Sequence, residues 1–257
     1  MIDDFRRPMI ESVVLAGGQG TRLRAIVRDL PKPMADIAGR PFLWWLMTRL
    51  KQQGVGRVIL SVGYKSEAIQ DYFGTAFDGM EISYAVEKEP LGTGGAMKYA
   101  LEKARVPEVI VLNGDTYADV NLQGLLSRFD SASTNLAVAV TYLNHRARYG
   151  SLVIDKETNT ITGFSEKQGP AAGYINAGVY CLRRDIFAKY SGPAKFSFEH
   201  DFLPRQLRVI RPLALQGVRA FIDIGVPGDY TLAQRLIPAL AGRITDDPAG
   251  GCLVVDR

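Results

Sequence analysis

Histidine and cysteine are scarce in this 257-residue chain, which holds His145, His200, Cys181 and Cys252 and no others of either type. Two thiols this far apart make neither a disulfide framework nor a metal cluster, and reduced cysteines in a cytoplasm are expected. So few histidines also remove the usual general base, and both are assigned packing or surface roles. No run approaches the roughly 18 apolar residues of a membrane span. The opening "MIDDFRRPMIES" has no apolar signal core, so a soluble protein without a membrane partner is expected. Nor is there a strong charge of one sign. The balance is 31 basic against 27 acidic residues, net +4, and the cations are interleaved, which argues against nucleic acid as a partner.

What remains is an ordinary globular composition, long enough to bury a sizeable core. Short β-branched runs alternate with helical patterns. "MIESVVLA" reads as a strand, "PFLWWLMTRLKQQG" as a helix opened by Pro41 and closed by Gly54, and "RVILSVG" as a second strand. "SEAIQDYFG" reads as a helix capped by Ser66, "EISYAVE" as a strand, "TGGAMKYALEKA" as a helix and "EVIVLNGD" as a strand ending in an acid. This alternation predicts a mostly parallel sheet with helices on both faces. The second half is strand-rich: "NLAVAVTYL", "YGSLVID", "TITGFSE" and "GYINAGVYCL" predict antiparallel additions. A helix follows from near Ser197, then strands in "IRPLALQ" and "VRAFIDIG", and a closing helix led by Pro227. Residues 241–257 read as a loosely packed tail or a contact strand. No linker or internal repeat is evident.

The most informative stretch is "VVLAGGQGTRLRAIVRDLPKPM", residues 13–34. Ligands of open α/β sheets bind beyond the carboxyl ends of the strands, and clustered glycine N–H groups make an anion nest. Arg22, Arg24, Arg28 and Lys32 add cations to that loop, against the single acid Asp29. Phosphate is the natural guest. A flexible turn with solvated arginines is the alternative, but two prolines flanking Lys32 hold it on a stiff segment. The segment is not a Walker loop, since no Gly-Lys-Ser/Thr follows. It is not the dinucleotide pattern either, since Leu23 stands at the last glycine position.

Read as a whole, "LAGGQGTRLR" with "PKPM", then "EPLGTGGAM", "NGD", "YG", "EK", "INAGVY" and "IDIGVPGDY" in order, closely resembles the sugar-1-phosphate nucleotidylyltransferases over residues 10 to 240. The loop departs from many members in having Ala25 where proline is common. "LRAIVRDLPKPMADIAGRPFL" is most similar to guanylyltransferases acting on D-glycero-D-manno-heptose 1-phosphate. The resemblance implies a Rossmann-like α/β fold of the nucleotide-diphospho-sugar transferase type in one domain, residues 1–257. Residues 10–120 would be mainly nucleotide-binding and 121–240 mainly sugar-phosphate-binding. No further acyltransferase domain is expected after residue 240.

The implied reaction brings two polyanions together, so positioning and charge neutralisation should dominate. By the family pattern, Arg22 grips the triphosphate and Lys32 neutralises the α-phosphate. Asp115 and Asp223 hold Mg²⁺, which suits one or two carboxylates plus phosphate oxygens. Leu15, Gly17, Gly18, Gly20 and Thr21 line the nucleotide loop. Pro90, Gly92 and Thr93 shape the pocket wall, glycine allowing close approach. Glu87 faces the base, because an acceptor-only carboxylate fits the adjacent N1–H and amine of guanine and repels uracil or thymine. Asn113, Gly150, Glu166, Lys167 and Asn176 fall at the sugar-phosphate side, with Tyr149 and Tyr174 as ring-packing candidates. The substrates so implied are GTP and a sugar 1-phosphate, for bacterial surface-glycan synthesis, in an enzyme that could be a homo-oligomer. Mannose 1-phosphate, another hexose 1-phosphate, and a non-catalytic binding module remain open alternatives.

Overall fold

The computed structural model describes residues 9–18, 29–145, 149–165, 172–242 and 253–254. Its centre is a ten-stranded sheet. Four strands form the parallel core: β1 (Ile10–Leu15), β4 (Val55–Val62), β6 (Met80–Val86) and β7 (Glu108–Asn113), in the order β7-β1-β4-β6. Strand β12 (Gly173–Arg183) runs antiparallel to β7 and also pairs with β9 (Leu136–Leu143). Beyond β9 lie β13 (Leu213–Leu215), β11 (Thr160–Ser165) and β10 (Ser151–Asp155), while β5 (Ala76–Phe77) closes the far edge. A hairpin of β2 (Asp36–Ile37) and β3 (Arg40–Pro41) leads into the first helix. A separate three-stranded sheet joins β8 (Thr116–Asp119), β14 (Ala220–Asp223) and β15 (Leu253–Val254). A parallel core with antiparallel additions is as the sequence predicts, though the additions make the whole sheet mixed.

Period-two alternation splits the core strands between two apolar layers. Val14, Ile110 and Leu112 face one layer, where they meet α1 (Phe42–Gln52), α2 (Ser66–Phe73), α4 (Leu122–Asp130) and α6 (Pro227–Ala241). Val13, Val109 and Val111 face the other, packed on α3 (Gly92–Leu101) and α5 (Leu203–Ile210). Helices therefore cover both faces. In α1, Phe42, Leu43, Leu46, Met47 and Leu50 are buried at helical spacing, and Trp45 donates its indole N–H to the Ile37 carbonyl at 2.9 Å. No helix among the described residues is long and apolar enough to cross a membrane.

Four elements differ from expectation. Ser66 is the first residue of α2 rather than its cap. The capping position is Lys65, at φ +51°, and it makes no side-chain capping bond. Strand β8 and helix α4 occupy a stretch where no element was expected. Asn121 caps α4, its side chain accepting from Gly124 N–H at 3.0 Å. The helix expected from Ser197 starts with a five-residue π-turn, Phe198–Phe202, before α5; Ser197 is its cap, accepting from His200 N–H at 3.1 Å.

Chain order places the cleft. From β1 the chain moves outward through β4 and β6, then returns to lay β7 on the other side of β1. The crossovers diverge there, leaving a crevice beyond the carboxyl ends of β1 and β7.

Candidate active site

In that crevice lies an open cavity of about 560 Å³. Leu15, Gly17, Gly18, Lys32, Glu87, Pro90, Gly92, Thr93, Asn113, Asp115 and Asp223 all line it. These residues are scattered over more than 200 positions of sequence and meet in one place. Of the other candidates, Gly20, Thr21, Arg22, Glu166 and Lys167 lie outside the described residues, as do Arg24 and Arg28 of the same loop. Gly150 and Asn176 do not line the cavity.

The polar end of the cavity is a cation held between two acids. Lys32–Met34 form a short 3-10 turn behind Pro31, with Pro33 and Met34 buried. That anchoring fixes the root of Lys32, and its ammonium reaches Asp115 Oδ2 at 2.7 Å and Asp223 Oδ1 at 3.7 Å. Asp115 lies two residues past the end of β7, in the turn to β8, rather than on the strand itself. Its carbonyl accepts from Ile224 N–H at 3.1 Å. Antiparallel pairing of β14 with β8, with Asp223 opposite Thr116, carries the second acid across. Asp223 is held in turn by Gly225 N–H at 2.7 Å and by the Tyr149 hydroxyl at 3.3 Å. Tyr149 thus orients an acid, its ring edge against Phe221. Among the described residues no group of three or more His, Cys, Asp or Glu side chains could hold a metal. The protein's oxygen donors here are two carboxylates, a set that suits a hard cation completed by phosphate oxygens and water.

Glu87 also lines the cavity. Burial raises its carboxyl above the ordinary value, opposed by bonds from Leu91 N–H and the Ser61 hydroxyl. Those bonds are 3.0 Å to Oε2 and 3.3 Å to Oε1. The carboxylate lies over Gly17, where an added Cβ would stand 2.6 Å from Oε1. A side chain at 17 would push the Glu87 carboxylate off the position that its two bonds hold.

Gly92 needs a different account from the one its motif suggests. Its φ is +71°, and a Cβ there would meet the Phe196 carbonyl oxygen at 2.6 Å. What approaches closely is a segment of the second half of the chain rather than a ligand. The same carbonyl accepts from Gly94 N–H and Gly95 N–H at 3.0 and 3.3 Å, capping the start of α3. Thr93 is drawn into this junction, its hydroxyl 2.8 Å from Glu199 Oε2. Sequence reading missed Glu199; the "SFEHDF" segment signals a helix start but not a partner for Thr93.

The remaining candidates have local roles. Asn176 accepts from Gly178 N–H at 2.9 Å and donates to the Tyr180 hydroxyl at 2.6 Å. Tyr174 stacks edgewise on Tyr142 and donates to Gln216. His145 and His200 are exposed. Cys181 is free and buried in the sheet, and burial pushes its thiol far up.

A mixed sheet with a four-strand parallel core and this cleft is an α/β fold of the nucleotidyltransferase type. The chain belongs to the nucleotidyl transferase family, whose model matches residues 11–238. It is 42% identical over 226 residues to D-glycero-alpha-D-manno-heptose 1-phosphate guanylyltransferase of Aneurinibacillus thermoaerophilus, covering 88% of this chain and 97% of that protein. The enzyme of the same name from Campylobacter jejuni is also 42% identical, over 221 residues, 86% of this chain and 97% of that one. Among solved structures, HddC from Yersinia pseudotuberculosis complexed with GMP-PN superposes with a TM-score of 0.78 at 40% identity. That match covers 88% of this chain and 98% of HddC.

Proposed function

We propose that this chain transfers a guanylyl group from GTP to D-glycero-D-manno-heptose 1-phosphate, releasing pyrophosphate and forming a GDP-heptose. The carrying observation is the pairing of Lys32 with both Asp115 and Asp223 in a cavity that Glu87 also lines. Similarity to two heptose 1-phosphate guanylyltransferases over nearly their whole length supports the choice of substrates. A cytoplasmic site, where GTP is plentiful, and service to bacterial surface glycans belong to the same reading.

In the reaction a phosphate oxygen of the sugar phosphate attacks the α-phosphorus. The new P–O bond forms as the bond to the bridging β-phosphate oxygen breaks, and pyrophosphate leaves with the electron pair. The attacking oxygen is already anionic at neutral pH, so no general base is needed. The problem is repulsion between reactants, which fixed positive charge relieves. Lys32 supplies such charge at the α-phosphate, and Arg22 at the departing pyrophosphate. Gly17, Gly18, Gly20 and Thr21, following Leu15, present backbone N–H groups to the phosphates. Asp115 and Asp223 are the residues to hold Mg²⁺, which when bound neutralises phosphate charge. Glu87 accepts from guanine N1–H and its amine, with Pro90, Gly92 and Thr93 as the wall. Asn113, Gly150, Glu166, Lys167 and Asn176 receive the sugar phosphate.

The test is a matrix of nucleoside triphosphates against sugar 1-phosphates, read by pyrophosphate release. GTP with the manno-heptose 1-phosphate should give the highest kcat/KM. Preference for another nucleotide, or no turnover on any sugar 1-phosphate, overturns the proposal. Asp115→Asn or Asp223→Asn should slow turnover by about a hundredfold or more, as loss of transition-state charge stabilisation does. Near-normal rates in either would remove the metal assignment.

A further inference from the structure

Thr93 on α3 and Asn176 on β12 are joined by a chain of hydrogen bonds whose directions are all determined. Asn176 Oδ1 accepts from Gly178 N–H at 2.9 Å, so its amide nitrogen must face Tyr180, to whose hydroxyl it donates at 2.6 Å. The Tyr180 oxygen is thereby an acceptor, and its proton goes to Glu199 Oε1 at 2.8 Å. From the other side, Thr93 Oγ1 accepts from Phe198 N–H at 2.9 Å and gives its proton to Glu199 Oε2 at 2.8 Å. Both oxygens of Glu199 are engaged by hydroxyl donors from two different elements. Only a carboxylate can accept at both ends of one side chain.

The location gives this chain its meaning. Thr93 lines the cavity. Glu199 stands in the π-turn Phe198–Phe202, a distortion that recurs at functional sites. Tyr180 is fully buried beside it, so its hydroxyl has no water to turn to. We propose that Glu199 is a positioning residue, fixing the Thr93 hydroxyl on the cavity wall and, through Tyr180, the amide of Asn176, which the functional reading gives to the sugar phosphate. The inference rests on the functional reading above, in which Thr93 and Asn176 serve different substrates. Glutamine at 199 has nearly the same shape but offers one acceptor only. Its amide nitrogen would face either the Tyr180 or the Thr93 hydroxyl, so one of the two protons would lose its acceptor.

The experiment compares the intact enzyme with Glu199→Gln and Tyr180→Phe, measuring KM for GTP and for the sugar 1-phosphate separately, with thermal unfolding alongside. Glu199→Gln should raise at least one of the two KM values about threefold or more, whereas Tyr180→Phe should raise that of the sugar phosphate alone, a split that lost stability does not produce. If Glu199→Gln fails to fold, Tyr180→Phe carries the test by itself. A folded Glu199→Gln enzyme with neither KM changed, or a Tyr180→Phe enzyme with unchanged sugar-phosphate KM, overturns the inference while leaving the reaction in place. A wild-type chain inactive on every substrate pair removes the functional reading and this inference with it.

Discussion

The ammonium of Lys32 lies 2.7 Å from Asp115 Oδ2 and 3.7 Å from Asp223 Oδ1. A side chain already occupies the position of charge between the two acids. A divalent ion arriving without nucleotide must compete with it. When phosphates arrive they offer Lys32 another partner and the acids another cation, so nucleotide and metal binding should reinforce one another. Lys32→Met should therefore tighten Mn²⁺ binding in the absence of nucleotide by about tenfold, equivalent to about 1.4 kcal/mol. Isothermal titration checks this, and equal affinities would contradict it.

Glu87 provides a test with pH. Burial lifts its folded-state carboxyl above the ordinary value of 4.5. The folded protein thus binds that proton more tightly than the unfolded chain, and stability declines as pH rises from 4.5 through the raised value. Above that window the penalty is constant. Glu87→Gln should lack this decline and unfold at pH 7 at a temperature no lower than wild type. It should also lose the fall in GTP affinity on acidification and discriminate less between GTP and UTP. Retention of the acid limb in the variant would assign it to another group.

Two glycines near the cavity should respond oppositely to alanine. At Gly92 a Cβ meets the Phe196 carbonyl at 2.6 Å with φ at +71°, whereas at Gly18 nothing lies within 4 Å. Gly92→Ala should cost about 2–4 kcal/mol of stability from strain and overpacking. Gly18→Ala should leave unfolding unchanged while weakening GTP binding. Denaturant titration and GTP titration separate the two outcomes.

At the opposite end of the core strands, Arg57 donates to Glu11 Oε1 at 3.0 Å, both side chains being almost wholly buried. Arg57 also reaches Glu81, Ser83 and the Lys103 carbonyl. Arg57→Met leaves the Glu11 charge uncompensated and should cost about 3–5 kcal/mol. GTP affinity in the folded fraction should not change, because the cleft lies at the other ends of these strands.

Local pattern carried the parallel core well, since β1, β4 and β7 are apolar runs closed by glycine or polar turns. The stiff Lys32 segment was likewise readable from its two prolines, whereas the pairing of Asp115 with Asp223 came from the family resemblance. What escaped depends on contacts between distant parts of the chain. Nothing within "GTGGAM" says that its glycines make room for Phe196, a hundred residues later. Glu199 looked like a polar residue at a helix start until the π-turn set it against Thr93 and Tyr180. Helix α4 was an avoidable omission: Asn121 followed by Leu122, Leu125 and Phe129 carries a cap and helical spacing. Strand β8 has only four residues and takes its identity from β14.

Strands β1, β7 and β12 are continuously hydrogen-bonded to one another, so the floor beneath the reacting groups is a single sheet. Spreading the cleft at its base would mean tearing ladder bonds out of the core. Entry and exit must then be governed from above, by the chain segments that rim the opening. Substrate binding should accordingly leave the radius of gyration nearly constant, unlike an enzyme that shuts two lobes about a hinge.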